Sequence, residues 1–129
     1  NALEYAHDKG IVHLDVRPSN IIVAENGEEL DVLLADWGCS MMFEEEKIKE
    51  GTFIGCAQYA HDALLGDRRR QLKPDPSFDL ASLGYTWYHV VRNGIPWGFD
   101  RPKLVSENQL TNRRNAMVGF LEQHCNDGR

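Results

Sequence analysis

Asn26-Gly27 lies between two short apolar runs, Ile21-Ile-Val-Ala24, rich in β-branched residues, and Asp31-Val-Leu-Leu-Ala35. No other feature constrains the fold as tightly, because the turn chemistry of Glu25–Glu28 allows the positive φ angles that a tight hairpin needs. A hairpin folded there brings its two open ends together. One end follows a loop that carries Asp15 and Asn20; the other runs into Asp36-Trp-Gly38. Two carboxylates and one amide then share one end of the molecule. Such oxygens are hard ligands suited to Mg²⁺, which takes few protein ligands and completes its shell with substrate phosphates and water. A carboxylate left free of metal can accept a proton from an attacking hydroxyl. Arg17 adds a fixed positive charge able to grip a phosphoryl oxygen.

The elements around this hairpin read as helical. Asn1 to Lys9 is a short helix stopped by Gly10, which suits a left-handed C-cap. Pro18 and its polar neighbours keep the following loop out of regular helix. From Cys39 to about Pro76 no long period appears, which makes a connection long enough to be functional. It holds an acidic run (Glu44–Glu46), the segment Gly51-Thr-Phe-Ile-Gly55 and a basic run (Arg68–Arg70). Phe78 to Arg92 is the clearest helix, with Leu80, Leu83, Trp87 and Val90 or Val91 at helical spacing and Ala81, Gly84 and Tyr88 opposite. Few charges interrupt it, so it is expected to be buried nearly all round. Asn93-Gly94 and Pro96 end it. A last amphipathic segment, Gln109 to His124, carries Leu110, Met117, Phe120 and Leu121.

The chain has 129 residues, 42% hydrophobic and 26% charged, which suits one modest globular domain. A net charge of −6 argues against a dedicated nucleic-acid binder, and no apolar run is long enough for a membrane span. The three cysteines, Cys39, Cys56 and Cys125, form neither a C-x-x-C pair nor a disulfide framework, so an intracellular, cytoplasmic setting is expected. The opening inside a helix suggests a piece of a larger domain.

In order, His13-Leu-Asp-Val-Arg-Pro-Ser-Asn20, Asp36-Trp-Gly38, Gly51-Thr to Tyr59-Ala60, Asp79-Leu-Ala-Ser-Leu-Gly-Tyr85 and Ile95-Pro-Trp97 resemble five motifs of the eukaryotic protein kinases. They match the catalytic loop H-R-D-x-K-P-x-N, D-F-G, the activation and substrate-facing segment, the start of the central helix, and the turn after it. The resemblance implies an α+β, mainly α-helical fold: a protein-kinase-like C-terminal lobe with a short β-hairpin at the catalytic loop. Residues 1–129 would then be a partial kinase domain lacking its N-terminal lobe and final helices.

The resemblance also implies site roles. Asp15 would orient or deprotonate the substrate hydroxyl, and Arg17, in place of the usual lysine, would neutralise the γ-phosphate of ATP. Asn20 and Asp36 would hold Mg²⁺. His13 would pack and bond backbone rather than bind metal, and Asp79 would accept backbone N–H bonds from the catalytic loop. The implied reaction is phosphoryl transfer from Mg-ATP to a serine or threonine hydroxyl of a protein, with the chain alone inactive for want of half the phosphate clamp.

Some positions depart from the family pattern. Leu14 replaces the arginine that receives an activation-loop phosphate, so phosphorylation of Thr52 is not expected to be the main switch. His61-Asp-Ala63 replaces A-P-E, and Cys56 stands where a threonine commonly braces the catalytic aspartate. Gly55 to Ala60, Ser82 to Tyr85 and Pro96-Trp97 are similar to the casein-kinase-I branch. Two rivals remain: a small-molecule phosphotransferase of the aminoglycoside or choline kinase type, and a pseudokinase scaffold.

Overall fold

The computed structural model describes residues 2–43, 54–65, 72–97 and 107–125. Thr52, Glu44–Glu46 and Arg68–Arg70 lie outside them. Helix α1 (Ala2–Asp8) ends as its sequence requires: Gly10 has φ 77° and its N–H bonds back to the His7 carbonyl at 2.9 Å. Strand β1 (Ile11–Val12) follows at once, and the chain turns through the loop 13–20 into the hairpin β2 (Ile21–Asn26) and β3 (Glu29–Leu34). Both strands are longer than the apolar runs alone suggest.

The hairpin register runs from Ile21 opposite Leu34 to Asn26 opposite Glu29, so the loop proper is Gly27-Glu28. Gly27 has φ 65° while Glu28 stays out of the positive region, the pattern of a type II′ turn with glycine first. The turn is therefore one residue later than an Asn-Gly type I′ turn would be. Past β3 the chain forms a 3₁₀ turn at Trp37–Cys39 and a short strand β4 (Met41–Met42), which pairs antiparallel with β1. The stretch after Cys39 thus contributes a strand, and a further 3₁₀ turn at Asp62–Leu65.

Helix α2 (Pro76–Arg92) starts on Asp75, whose side chain accepts the Ser77 N–H, with Pro76 at the first helical position. Asn93, at φ 56°, closes it. Helix α3 (Glu107–Cys125) lies against the 62–65 turn, with Met117 fully buried. The core gathers Val12, Leu14, Leu64, Leu65, Phe78 and Met117 with Trp97, whose ring meets Tyr85 and Phe120 edge-on at 5.2 and 5.4 Å. The Trp97 indole N–H donates to the Gln58 carbonyl at 3.0 Å, so the aromatic cluster also holds the 54–60 segment.

One expectation is overturned. Helix α2 is not buried all round: the side that faces the core is Phe78, Asp79, Ser82 and Thr86, while Leu80, Trp87, Val90 and Val91 are exposed, Trp87 to 69%. The cause is the destination of its polar stripe. Asp79 is committed to the loop 13–14, which turns the apolar stripe outward, while Ser82 on the same side bonds back to the Phe78 carbonyl of its own helix. Where that stripe begins, Leu83 joins Leu3, Val16, Ile21, Val32 and Leu34 around an apolar cleft of about 310 Å³.

Candidate active site

The loop between β1 and β2 is held from below by a single carboxylate. Asp79, 0% exposed, accepts the backbone N–H of His13 at 2.7 Å and of Leu14 at 2.8 Å. Leu14 sits at φ 67°, a region where a non-glycine side chain costs about 1–2 kcal/mol. Charge-assisted bonds to two successive N–H groups offset that cost. The third ligand of Asp79 is the His7 Nε2–H at 2.8 Å, from the last turn of α1. Nothing in the helical periodicity marks His7, and the sequence reading missed it.

His13 is buried and works as a backbone fastener. Its Nε2 faces the Ala35 carbonyl at 2.9 Å and must carry the proton; its Nδ1 accepts the Asp15 N–H at 3.1 Å. The imidazole thereby ties the loop to the end of β3, and Trp37 lies edge-on against it at 4.5 Å. Gly55 approaches from the other side. At φ 83°, its α-carbon lies so close to the Leu14 carbonyl oxygen that a β-carbon would overlap that atom. Glycine alone permits this approach.

Asp15, Arg17 and Asn20 come together on this frame. Asn20, buried, donates through Nδ2 to the Asp15 carbonyl at 2.8 Å and to its carboxylate Oδ2 at 3.1 Å. With Nδ2 engaged twice, the amide oxygen is the atom left to meet a ligand. The Arg17 Nε stands 3.3 Å from Asp15 Oδ1, near enough to pair charges yet not aligned as a hydrogen bond. Asp15 Oδ1 is therefore a buried acceptor with no hydrogen-bond partner among the described residues. Burial pushes the Asp15 carboxyl above its ordinary range, against Arg17 and Asn20, which pull it down; the nearby Asp36 charge adds to the rise.

Asp36 reaches the same end through the hairpin. The Ala35 N–H donates to the Asn20 carbonyl at 2.8 Å, continuing the β2–β3 ladder by one bond. Asp36 itself is exposed, at φ 58° and ψ 74°, and its Oδ1 accepts the Gly38 N–H at 3.4 Å. Aspartate is among the few residues that tolerate this conformation. The Cys39 thiol senses Asp15, Asp36 and Arg17 together; burial and the two carboxylates raise it above the usual thiol range. The four residues singled out by sequence thus converge.

The donor set here is one amide oxygen and one exposed carboxylate beside a buried carboxylate. No cluster of three or more histidine, cysteine or acidic ligands occurs among the described residues. Hard oxygens in that number suit Mg²⁺ shared with a phosphate ligand better than a metal caged by protein alone.

The 54–60 segment is tied to α2 by contacts the sequence did not announce. The Tyr59 hydroxyl and His89 Nδ1 are hydrogen-bonded at 2.6 Å, their rings stacked at 5.9 Å. Where the family motif has A-P-E, His61 accepts the Ala63 N–H through Nδ1 at 3.0 Å, and Asp62 begins the 3₁₀ turn.

Residues 1–125 match the family model described as protein kinase domain. The chain is 34% identical over 98 residues to human 3-phosphoinositide-dependent protein kinase 1, covering 74% of this chain and 16% of that protein. It is 32% identical over 110 residues to the protein named probable serine/threonine-protein kinase MARK-C of Dictyostelium discoideum, covering 85% and 13%. Human NUAK family SNF1-like kinase 1 is 30% identical over 108 residues, covering 83% and 15%. The chain thus spans about one sixth or less of these relatives. With catalytic-loop, D-W-G and central-helix motifs joined as the geometry describes, the chain belongs to the protein kinase domain family.

Proposed function

We propose that this chain is the catalytic-loop half of a protein kinase, the C-terminal lobe, and that the protein carrying it transfers the γ-phosphoryl group of ATP to a serine or threonine hydroxyl of a protein. The observation that carries the reading is the pair of hydrogen bonds that Asn20 Nδ2 donates to Asp15, on a hairpin whose first rung brings Asp36 to the same end. In a working site, Asp15 Oδ1, buried and with no hydrogen-bond partner among the described residues, receives the hydrogen bond of the attacking hydroxyl. Its raised pKa brings it nearer the pH of operation, where a base accepts a proton most effectively. Arg17 presents its guanidinium to the transferring phosphoryl oxygens while its Nε side steadies Asp15. The Asn20 amide oxygen and the Asp36 carboxylate would hold Mg²⁺. The bound ion supplies charge neutralisation at the phosphates, and positioning does the rest.

The remaining phosphate contacts come from outside these residues, so the 129-residue chain by itself is expected to turn over nothing measurable. The exposed stripe of α2 and the exposed Ile22, Val23, Leu30 and Val32 of the hairpin support this, since apolar patches of that kind mark surfaces that other parts of a protein cover.

The test is transfer of radiolabelled phosphate by the whole protein with Mg-ATP, offered protein substrates and small alcohols side by side. Asp15→Asn is expected to cut transfer to protein by about 100-fold or more while leaving Mg-ATP binding intact. Asp36→Asn is expected to lose the Mg²⁺-dependent part of nucleotide binding. Transfer to a small alcohol alone would replace this reading with a small-molecule phosphotransferase; Mg-ATP binding without transfer would replace it with a scaffold.

A further inference from the structure

The backbone that delivers Asp36 is gripped by two aromatic rings. The peptide unit between Leu34 and Ala35 is bonded at both poles. Its carbonyl, that of Leu34, accepts the Trp37 indole N–H at 3.0 Å, and its N–H, that of Ala35, donates to the Asn20 carbonyl at 2.8 Å. The carbonyl of the next unit, that of Ala35, accepts the His13 Nε2–H at 2.9 Å. The two donor rings meet edge-on at 4.5 Å, and the His13 ring is 0% exposed and held by the Asp15 N–H. Of the three donors on this backbone, Trp37 is the one that follows Asp36 in the chain.

The Trp37 ring reaches back past Asp36 to the strand the chain has just left. That closure needs the chain to reverse at Asp36, which it does in left-handed conformation, at φ 58° and ψ 74°. L-residues resist this region, aspartate less than most. Were Asp36 to relax to extended backbone, Trp37 would swing away and lose both the indole bond and its edge contact with His13. Two interactions made in one backbone state and absent from the other shift the population toward the first. Phenylalanine, the usual residue of the D-F-G pattern, keeps a ring for His13 but has no donor for the Leu34 carbonyl.

We propose that Trp37 is a positioning residue: its indole N–H latches the Asp36 turn in the conformation that presents the carboxylate for Mg²⁺, before any nucleotide binds. The inference rests on the reading of Asp36 as a metal ligand and adds to it a side chain that acts through Asp36 alone. Trp37 is 38% exposed, so water competes for the bond. A net bias of about two- to fivefold toward the latched turn is the scale that one such hydrogen bond supplies.

The experiment makes two changes at residue 37 of the whole protein. One is Trp37→Phe; the other replaces the indole with benzothiophene, using benzothienylalanine, which keeps the fused rings and lacks the N–H. The second guards against loss of fit in the first. Amide hydrogen exchange without ligand is expected to quicken about two- to fivefold at residues 36–40 in both variants, with α2 unchanged. Magnesium titrations at a fixed concentration of an ATP analogue should show half-saturation raised by a similar factor, with metal-free nucleotide binding unaltered. Unchanged exchange at 36–40 in the benzothiophene variant would overturn the inference, as would equal acceleration throughout α2, which marks a general loss of stability. Unchanged Mg²⁺ dependence in a protein whose Asp36→Asn form loses it would overturn it too, leaving the kinase reading standing. Should Asp36→Asn itself keep the Mg²⁺ dependence, the kinase reading fails instead, and the exchange rates alone decide whether the indole holds the turn.

Discussion

Asp79 and Leu14 are joined by a 2.8 Å bond between a fully buried carboxylate and a backbone N–H in left-handed conformation. That single contact lets α2 dictate the shape of the catalytic loop. Because His13 N–H and His7 Nε2–H converge on the same carboxylate, Asp79→Asn would set an amide NH₂ against donors. A loss of about 1–3 kcal/mol is expected, read as a lower urea midpoint; an unchanged midpoint would remove Asp79 from its anchoring role.

Gly55→Ala tests the contact on the loop's other face. The added β-carbon would overlap the Leu14 carbonyl, and alanine at φ 83° is strained by about 1–2 kcal/mol even without the overlap. Thermal unfolding should register at least that cost. A neutral substitution would mean that residues 55 and 14 are not in contact in solution.

Asp15 yields a pH dependence with a defined sign. Burial, the largest influence, raises its folded pKa above the unfolded value, so the folded state favours the protonated acid. Its stability contribution is fully present below the unfolded pKa and is lost as pH rises through the folded one. Asp15→Asn, a neutral isostere, should therefore melt higher than the parent at neutral pH, with the gap closing on acidification through the carboxylate range. A gap that widens on acidification would contradict the assignment.

The outward stripe of α2 makes a prediction that separates surface from core. In the 129-residue chain, Trp87→Lys with Val91→Lys should change stability by no more than about 0.5 kcal/mol each and reduce self-association in light scattering. A large destabilisation of that chain would show the stripe to be buried.

Trp97→Phe keeps a ring between Tyr85 and Phe120 but deletes the N–H that holds the Gln58 carbonyl. The expected cost is about 1 kcal/mol, with faster proteolysis within 54–60 as the local readout. Unaltered proteolysis would show that the indole bond does not restrain that segment.

Local chemistry was enough for much of this. Gly10, Asn26-Gly27 and Asn93-Gly94 place the end of α1, the hairpin and the end of α2 through backbone preferences that act over a few residues, whereas apolar spacing set the start of α2 at Phe78, two residues after its actual first residue Pro76. The hairpin then obliges Asn20 and Asp36 to share an end, because antiparallel register is a local property. What apolar periodicity could not reveal is which side of α2 faces inward; only the family resemblance, through Asp79 and its bonds to the catalytic loop, pointed to it. Apolar spacing pointed to Leu80, Trp87 and Val90, yet the buried side carries Asp79, Ser82 and Thr86. A buried carboxylate satisfied by three donors outweighs a stripe of apolar side chains, and its donors come from residues some 65 to 72 positions away. The same holds for His7, for Gly55 on Leu14 and for Tyr59 on His89: each is a contact between distant segments, with no period along the chain to announce it. Sequence alone specified the elements and the residue types of the site; tertiary packing decided which groups meet, because long-range hydrogen bonds leave no local pattern.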